Sequence, residues 1–180
     1  GEIGRGSFGA VLRARQLSLD RQVAIKYLLP NLSGKELKRR FKREAKVLCS
    51  LNHPNVIDIF SYGIDGKAVY LVQELLKGET LERFFSKEVT PDVNELIKLC
   101  ADVASALHYC HGQKVFHRDV KPANVFICQD GQAKLLDFGL AKGDKFDTQL
   151  TATGCLAGTP LYLAPEQLYE SEPQGACDVY

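Results

Sequence analysis

No apolar run in the chain reaches the length of a membrane span, and no signal-peptide pattern is present, so the segment reads as soluble. The six cysteines (Cys49, Cys100, Cys110, Cys128, Cys155 and Cys177) form no CxxC pair and no regular framework. That absence excludes a disulfide scaffold or a zinc ribbon and indicates a reducing, cytoplasmic compartment, with room for a membrane anchor elsewhere in the gene product. A formal net charge of +1 gives no reason to expect nucleic acid or a membrane surface as partner, and Lys35–Lys46 is the one conspicuous basic stretch. There is no GxxxxGK[ST] run, which excludes a Walker-type phosphate loop. Repeats and low-complexity segments are also missing. What remains is a chain of 180 residues, 45% hydrophobic and 25% charged: globular composition, enough for one ordinary domain or two small lobes.

Residues 9–15 and 21–28 read as two strands joined by a polar turn containing Ser18 and Asp20. A hairpin therefore follows the glycine-rich start. A dinucleotide-binding unit would instead place a helix directly after its glycines. Ser33 and Glu36 form a capping box for a helix running to about Leu51, ended by Asn52-His53-Pro54-Asn55. Strands are expected over Val56–Tyr62 and Ala68–Glu74, with a turn at Gly63 to Gly66. Beyond Gly78, Thr90-Pro91-Asp92 opens a helix in which Val93, Leu96, Ile97, Cys100, Val103, Ala104 and Leu107 recur at helical spacing to Gly112. Short strands at Val125–Cys128 and Ala133–Leu136 flank an Asp130-Gly131 turn, the strongest hairpin signal in the chain.

The chemistry is concentrated in His117-Arg118-Asp119-Val120-Lys121-Pro122-Ala123-Asn124 and, one apolar stretch later, Asp137-Phe138-Gly139. Two acids, an amide and a lysine around one loop region suit phosphoryl transfer, which depends on positioning, cations and oxygen ligands for a divalent metal. Asp119 is placed to accept or orient a hydroxyl proton. Because an ordinary aspartate has a pKa of about 3.9 and is a weak base near neutrality, orientation is the larger role. The glycines Gly4, Gly6 and Gly9 allow close backbone approach to phosphates, although alone they fit an unliganded turn equally well. Leu37, Phe41, Glu44 and Leu48 share one helical face, which puts a carboxylate in an apolar stripe. A charge there requires a partner, and strand alternation offers Lys26.

With Gly4-Arg5-Gly6-Ser7-Phe8-Gly9-Ala10-Val11, Val23-Ala24-Ile25-Lys26 and Ala164-Pro165-Glu166, these motifs resemble the protein kinase family in order and spacing over essentially the whole chain. The resemblance implies an α+β, bilobal fold: a small antiparallel-sheet-plus-helix N-lobe at residues 1–73, and a partial, mainly helical C-lobe at 74–180 holding the hinge, catalytic loop and activation segment. The family domain runs longer, so the chain is expected to be truncated at both ends. Lys121 in the catalytic loop and Gly158-Thr159-Pro160 resemble serine/threonine kinases, and the segments from Leu150 to Gln167 look most like bacterial kinases of eukaryotic type. The implied reaction transfers the γ-phosphate of ATP to Ser or Thr of proteins, with autophosphorylation through dimerisation compatible with it.

Residue by residue, the resemblance implies Asp119, Lys121, Lys26 and Glu44 as catalytic groups, with Lys121 neutralising the γ-phosphate and Lys26 holding the α- and β-phosphates. Asn124 and Asp137 would hold Mg²⁺, or Mn²⁺ in its place. The nucleotide would meet Gly4, Gly6, Ser7, Phe8, Gly9, Val11, Ala24, Lys26, Glu74, Leu76 and Phe126, with Gln73 at the gatekeeper position. His117 is read as a packed core group, stacked by resemblance with Leu48, Ile59 and Phe138. Arg118 and Lys142 would receive a phosphothreonine, best placed at Thr151 or Thr153. Thr159 would contact the catalytic loop, and Glu166 would be structural. The rival readings are a nucleotide-binding scaffold without turnover, opposed by the intact Lys26, Glu44, Asp119, Asn124 and Asp137, and a small-molecule phosphotransferase, opposed by the long activation segment.

Overall fold

The computed structural model describes residues 1–6, 9–28, 35–65, 68–87, 91–138, 160–169 and 174–180. The chain divides into two compact units: Gly1–Asn52 with Val56–Lys77, and His53–Asn55 with Gly78–Tyr180. The capping box at Ser33, the helix opening at Thr90, and the functional readings at Ser7, Phe8, Gly139, Lys142, Thr151, Thr153, Cys155 and Thr159 lie outside the described residues.

The first unit is a five-stranded antiparallel sheet: β1 (Glu2–Gly6), β2 (Gly9–Gln16), β3 (Arg21–Leu28), β4 (Ile59–Asp65) and β5 (Ala68–Glu74), in the order β1-β2-β3-β5-β4. Gly4, Gly6 and Gly9 lie within the β1–β2 pairing, where Gly4 is opposite Val11 and Gly6 opposite Gly9. Helix α1 (Lys35–Leu48) packs its Phe41, Ala45 and Leu48 inward, and the Phe41 ring meets Tyr62 of β4 edge-on at 6.1 Å. Alternation along β5 buries Val69, Leu71 and Gln73 on one face. The ladder sets Lys26 opposite both Val11 and Leu71, and Ala24 opposite Gln73. Directly opposed residues point to the same face, so Val11, Lys26 and Leu71 form one row, and Ala24 and Gln73 belong to the next.

The end of α1 and both ends of β4 differ from expectation, for β4 runs on through Gly63, Ile64 and Asp65, where a turn was expected. The helix ends at Leu48 because Ser50 and Leu51 turn back to the carbonyls of Val47 and Leu48, tightening the last turn. The fourth strand starts at Ile59 rather than Val56. Val56 and Ile57 are both buried, but the amide of Asp58 is taken by the Glu74 carboxylate at 2.9 Å, and Glu74 returns its own amide to the Asp58 carbonyl. Regular pairing begins only beyond that exchange.

The second unit holds a three-stranded antiparallel sheet of β6 (Gly78–Thr80), β7 (Val125–Cys128) and β8 (Ala133–Leu135), with α2 (Leu81–Phe85), α3 (Val93–Gly112) and α4 (Glu166–Tyr169). Neither β6 nor α2 stands out in the sequence, since each is too short to show a period. Thr80 caps α2 by accepting the Arg83 amide at 3.2 Å. The Asp130-Gly131 turn forms as read, with Gly131 at φ +77°. Asn55 extends the sheet: its side chain donates to the Ala133 carbonyl at 2.8 Å and its carbonyl accepts the Leu135 amide at 2.8 Å.

The buried face of α3 is Leu99, Ala106, Leu107 and Cys110. This corrects the apolar stripe read from spacing, because Val93, Ile97, Cys100 and Ala104 are exposed. Helical spacing defines a stripe about 100° wide, and the packed side of α3 is rotated toward β8, leaving those four on its flank. Cys110 and Cys177 do act as small buried hydrophobes: burial pushes their thiols up to about 11 and about 12, respectively.

Candidate phosphoryl-transfer site

The loop 117–124 in the second unit is held from several sides. Asp178, buried in the short helical turn Gly175–Asp178, accepts the backbone amide of His117 at 2.8 Å and that of Arg118 at 2.6 Å. The same carboxylate pairs with Nε2 of His111 at 2.9 Å. The carbonyl of Arg118 accepts Nε2 of Gln167 at 2.9 Å, and Oε1 of Gln167 accepts the Ala164 amide, so the Ala164-Pro165-Glu166 segment is tied to the loop.

His117 is the internal strut. It is fully buried, and its Nδ1 accepts the Asp119 amide at 3.2 Å. Nε2 must then carry the proton, donated to the Leu136 carbonyl at 2.6 Å. Burial lowers its pKa, against the opposing pull of the Leu136 carbonyl and of Asp178, Asp119 and Asp137. The ring is therefore a neutral imidazole. Its face meets Phe138 with ring centroids 4.8 Å apart, as expected of a packed core group. Leu48 and Ile59, its other expected companions, are buried within the first unit.

Asp119 is fixed through one carboxylate oxygen. Oδ2 pairs with Nζ of Lys121 at 2.9 Å and accepts Nδ2 of Asn124 at 2.9 Å, while that same Nδ2 also reaches the Asp119 carbonyl at 2.8 Å. With the amide nitrogen of Asn124 engaged twice, its oxygen is the end presented elsewhere. The turn Pro122–Asn124 closes through the Asn124 amide and Lys121 carbonyl at 2.9 Å. The Asn124 carbonyl then accepts the Leu136 amide at 2.8 Å. Asp137 follows directly, so two links through Leu136, from the His117 ring and from the Asn124 carbonyl, carry the loop to the second acid.

Arg118 and Asp137 both sit in the left-handed region, at φ +62° and +51°. Such conformations are costly for residues with a Cβ and persist where surrounding bonds over-determine them, as at functional sites. Nε of Arg118 is buried and has no hydrogen-bond partner among the described residues.

Five sequence-selected residues of the second unit, Arg118, Asp119, Lys121, Asn124 and Asp137, are thus brought together with His117. Phe126 lies in β7, opposite Thr80. In the first unit, Gly4, Gly6, Gly9 and Val11 occupy the β1–β2 hairpin, Ala24 and Lys26 lie on β3, and Glu44 is half-buried on α1 beside Ala45. Glu74 ends β5, with Leu76 two residues on. Sequence reading missed Asp178, Gln167 and His111. Asp178 carried one signal, an acid set between the apolar Cys177 and Val179; Gln167 and His111 carried none.

Oxygen donors Asn124 and Asp137 suit a hard divalent cation, which usually takes one or two protein carboxylates and completes its shell with phosphates and water. Among the described residues no group of three or more His, Cys, Asp or Glu forms a self-sufficient metal cage. No helix among them is long and apolar enough to cross a membrane.

The model of the protein kinase domain matches residues 1–180. The serine/threonine-protein kinase pkn3 of Myxococcus xanthus is 38% identical over 187 residues, covering 99% of this chain and 34% of the relative. PrkC of Bacillus subtilis, a serine/threonine-protein kinase, is 34% identical over 179 residues, covering 99% and 28%. The crystal structure of a mutant of the Mycobacterium tuberculosis PknI kinase domain superposes with a TM-score of 0.79 at 26% identity, covering 98% of this chain and 66% of that one. Rad53 1–466 in complex with AMP-PNP gives a TM-score of 0.75 at 27% identity, covering 93% and 41%. The chain spans about a third of the length of these curated relatives. With its whole length matched and its loop geometry as described, the chain belongs to the protein kinase domain family.

Proposed function

We propose that this chain is the catalytic domain of a serine/threonine protein kinase that moves the γ-phosphate of ATP to protein Ser and Thr hydroxyls. The observation that carries the reading is the clamp on Asp119, whose Oδ2 is shared by Lys121 and Asn124. A carboxylate held by a cation and an amide stays ionised and oriented, which suits it to align a substrate hydroxyl for in-line attack. Lys121, within reach of that carboxylate, would also compensate charge on the transferring phosphoryl group. Asn124 and Asp137 would hold the Mg²⁺ that bridges and neutralises the phosphates when bound, with Mn²⁺ a chemical substitute.

In the first unit, Lys26 would hold the α- and β-phosphates and Glu44 would orient it. Lys26 stands between Val11 and Leu71 on the sheet, and Glu44 lies half-buried on α1 among Phe41, Ala45 and Leu48, so the apolar surroundings of both charges support that pairing. The amides of Gly4, Gly6 and Gly9, together with Ser7 and Phe8, would cover the phosphates, and Val11, Ala24 and Phe126 would contact the base. Since the Glu74 amide is committed to Asp58, its hinge contribution is the carbonyl, with Leu76 supplying an amide. The buried Nε of Arg118 supports its role, with Lys142, as receiver of a phosphate on Thr151 or Thr153. Dimerisation for autophosphorylation and a cytoplasmic catalytic domain belong to the same reading.

The test is transfer of labelled γ-phosphate from Mg-ATP to a protein substrate by the whole protein beside its Asp119→Asn variant, with phosphoamino-acid analysis. Phosphoserine or phosphothreonine from the parent alone supports the kinase. Transfer to small alcohols or aminoglycosides but not to protein would replace it with a small-molecule phosphotransferase, and nucleotide binding without transfer would replace it with a scaffold.

A further inference from the structure

The net charge of +1 conceals a division. The first unit carries fourteen Lys and Arg against seven Asp and Glu, a net of +7, whereas the second carries nine against fifteen, a net of −6. The positive charge of the first unit is concentrated on α1. Arg39, Lys42, Arg43 and Lys46 fall at i, i+3, i+4 and i+7, so they form one stripe, and all four are exposed. Among the described residues none of the four is in an ion pair. Like charges three and four residues apart repel one another, so the stripe weakens its own helix and is relieved by an external anion. None of these residues belongs to the phosphate-transfer machinery proposed above.

We infer that the Arg39–Lys42–Arg43–Lys46 stripe is a docking surface for the acidic second unit of another copy of this chain. Three observations select that occupant. The apolar face of α1 is already buried through Phe41, Ala45 and Leu48, and among its described side chains only Val47 is large, apolar and exposed, which is too little to anchor the helix in a bilayer. The −6 of the second unit offers an anionic membrane or nucleic acid no attraction, whereas for a second copy that same charge is the attraction. The second unit offers exposed acids outside any ion pair among the described residues, including Glu82, Asp92 and Glu95. Two arginines in the stripe can each grip a carboxylate with two parallel hydrogen bonds. Association of this kind is steered by charge and falls as salt shortens the screening length, from about 10 Å at 0.1 M toward 3 Å at 1 M.

Sedimentation velocity of the whole protein at low and high salt tests this, with Arg39→Glu/Arg43→Glu beside the charge-conserving Arg39→Lys/Arg43→Lys. Self-association at low salt is expected to disappear at high salt. The Glu pair should weaken it by at least about tenfold and the Lys pair by much less. Circular dichroism establishes that both variants are folded, and transfer activity at high salt should be the same in all three. Carbodiimide cross-linking of mixed isotopic copies should join Lys42 or Lys46 to carboxylates of the other copy's second unit. A protein monomeric at every salt concentration overturns the proposal, as do association indifferent to the Glu pair and cross-links to acids of the first unit. Binding of a monomer to anionic vesicles or duplex DNA would also overturn it, by assigning the stripe a different occupant.

Discussion

Asp178 grips Arg118 by its backbone, accepting the Arg118 amide at 2.6 Å with a side chain that has no exposed surface. Since Gln167 binds the carbonyl of the same residue, the left-handed conformation of Arg118 is fixed at both peptide groups. That fixation sets the backbone that enters Asp119, whose carboxylate is then held by Lys121 and Asn124.

Replacing Asp178 by Asn tests the arrangement. One oxygen remains to accept an amide, but the second acceptor and the pairing with His111 are lost, leaving a buried N–H unsatisfied. The expected cost is about 2–3 kcal/mol of stability, together with a fall in transfer activity. An unchanged urea midpoint with unchanged kcat would refute the anchoring role.

Lys26→Met and Asp119→Asn are each expected to lower kcat by about a hundredfold or more, the first by misplacing phosphates and the second by losing alignment of the hydroxyl. Calorimetric titration should show that Asp119→Asn still binds nucleotide. Wild-type turnover in either variant would remove that residue from the mechanism.

Activation should depend on Thr151 and Thr153. The double change Thr151→Ala/Thr153→Ala is expected to leave nucleotide binding intact while lowering the transfer reached after preincubation with ATP. Unaltered phosphopeptide maps and normal activity would reject the regulatory assignment.

Acid should destabilise the second unit through His117. Its pKa in the fold lies below the ordinary value of about 6.5, so on acidification the unfolded chain takes up the proton first. The stabilisation is complete above about pH 6.5 and declines as pH falls toward the folded value. Denaturant midpoints between about pH 5 and 8 should therefore drop more steeply for the parent than for His117→Phe.

Gly78→Ala should disturb the second sheet where β6 begins. A Cβ there would stand 2.0 Å from the Ile127 carbonyl oxygen, at a φ of +146° that side chains rarely adopt. Backbone cannot give way as a flexible side chain can, so a loss of about 3 kcal/mol is expected. A thermal midpoint within error of the parent would contradict the geometry.

Elements with a long period were legible in the residues themselves: α1 and α3 through helical spacing, β2, β3 and β5 through runs of branched apolar residues, and the β7–β8 hairpin through Asp130-Gly131. The segment β6–α2 was not legible, because three strand residues and five helical ones cover too few positions for a period to show. The start of β4 was misplaced for a related reason. Val56 and Ile57 look like strand but are buried in an irregular stretch whose amide at Asp58 goes to a side chain, and that exchange depends on Glu74, sixteen residues away.

For the site, residue chemistry together with the family resemblance singled out Asp119, Lys121, Asn124 and Asp137, because phosphoryl transfer requires acids, an amide and a cation and these four stand in the family's order. Composition and spacing could not show that Asn124 and Lys121 converge on a single oxygen of Asp119. Nor could they show that His117 is a neutral strut, or that Asp178 and Gln167 hold Arg118 from positions 60 and 49 residues away, respectively. Sequence specifies which groups a chain carries and the local periods they follow. Which buried carboxylate satisfies which distant amide is decided only when the tertiary fold removes water and leaves each buried polar group the few partners within its reach.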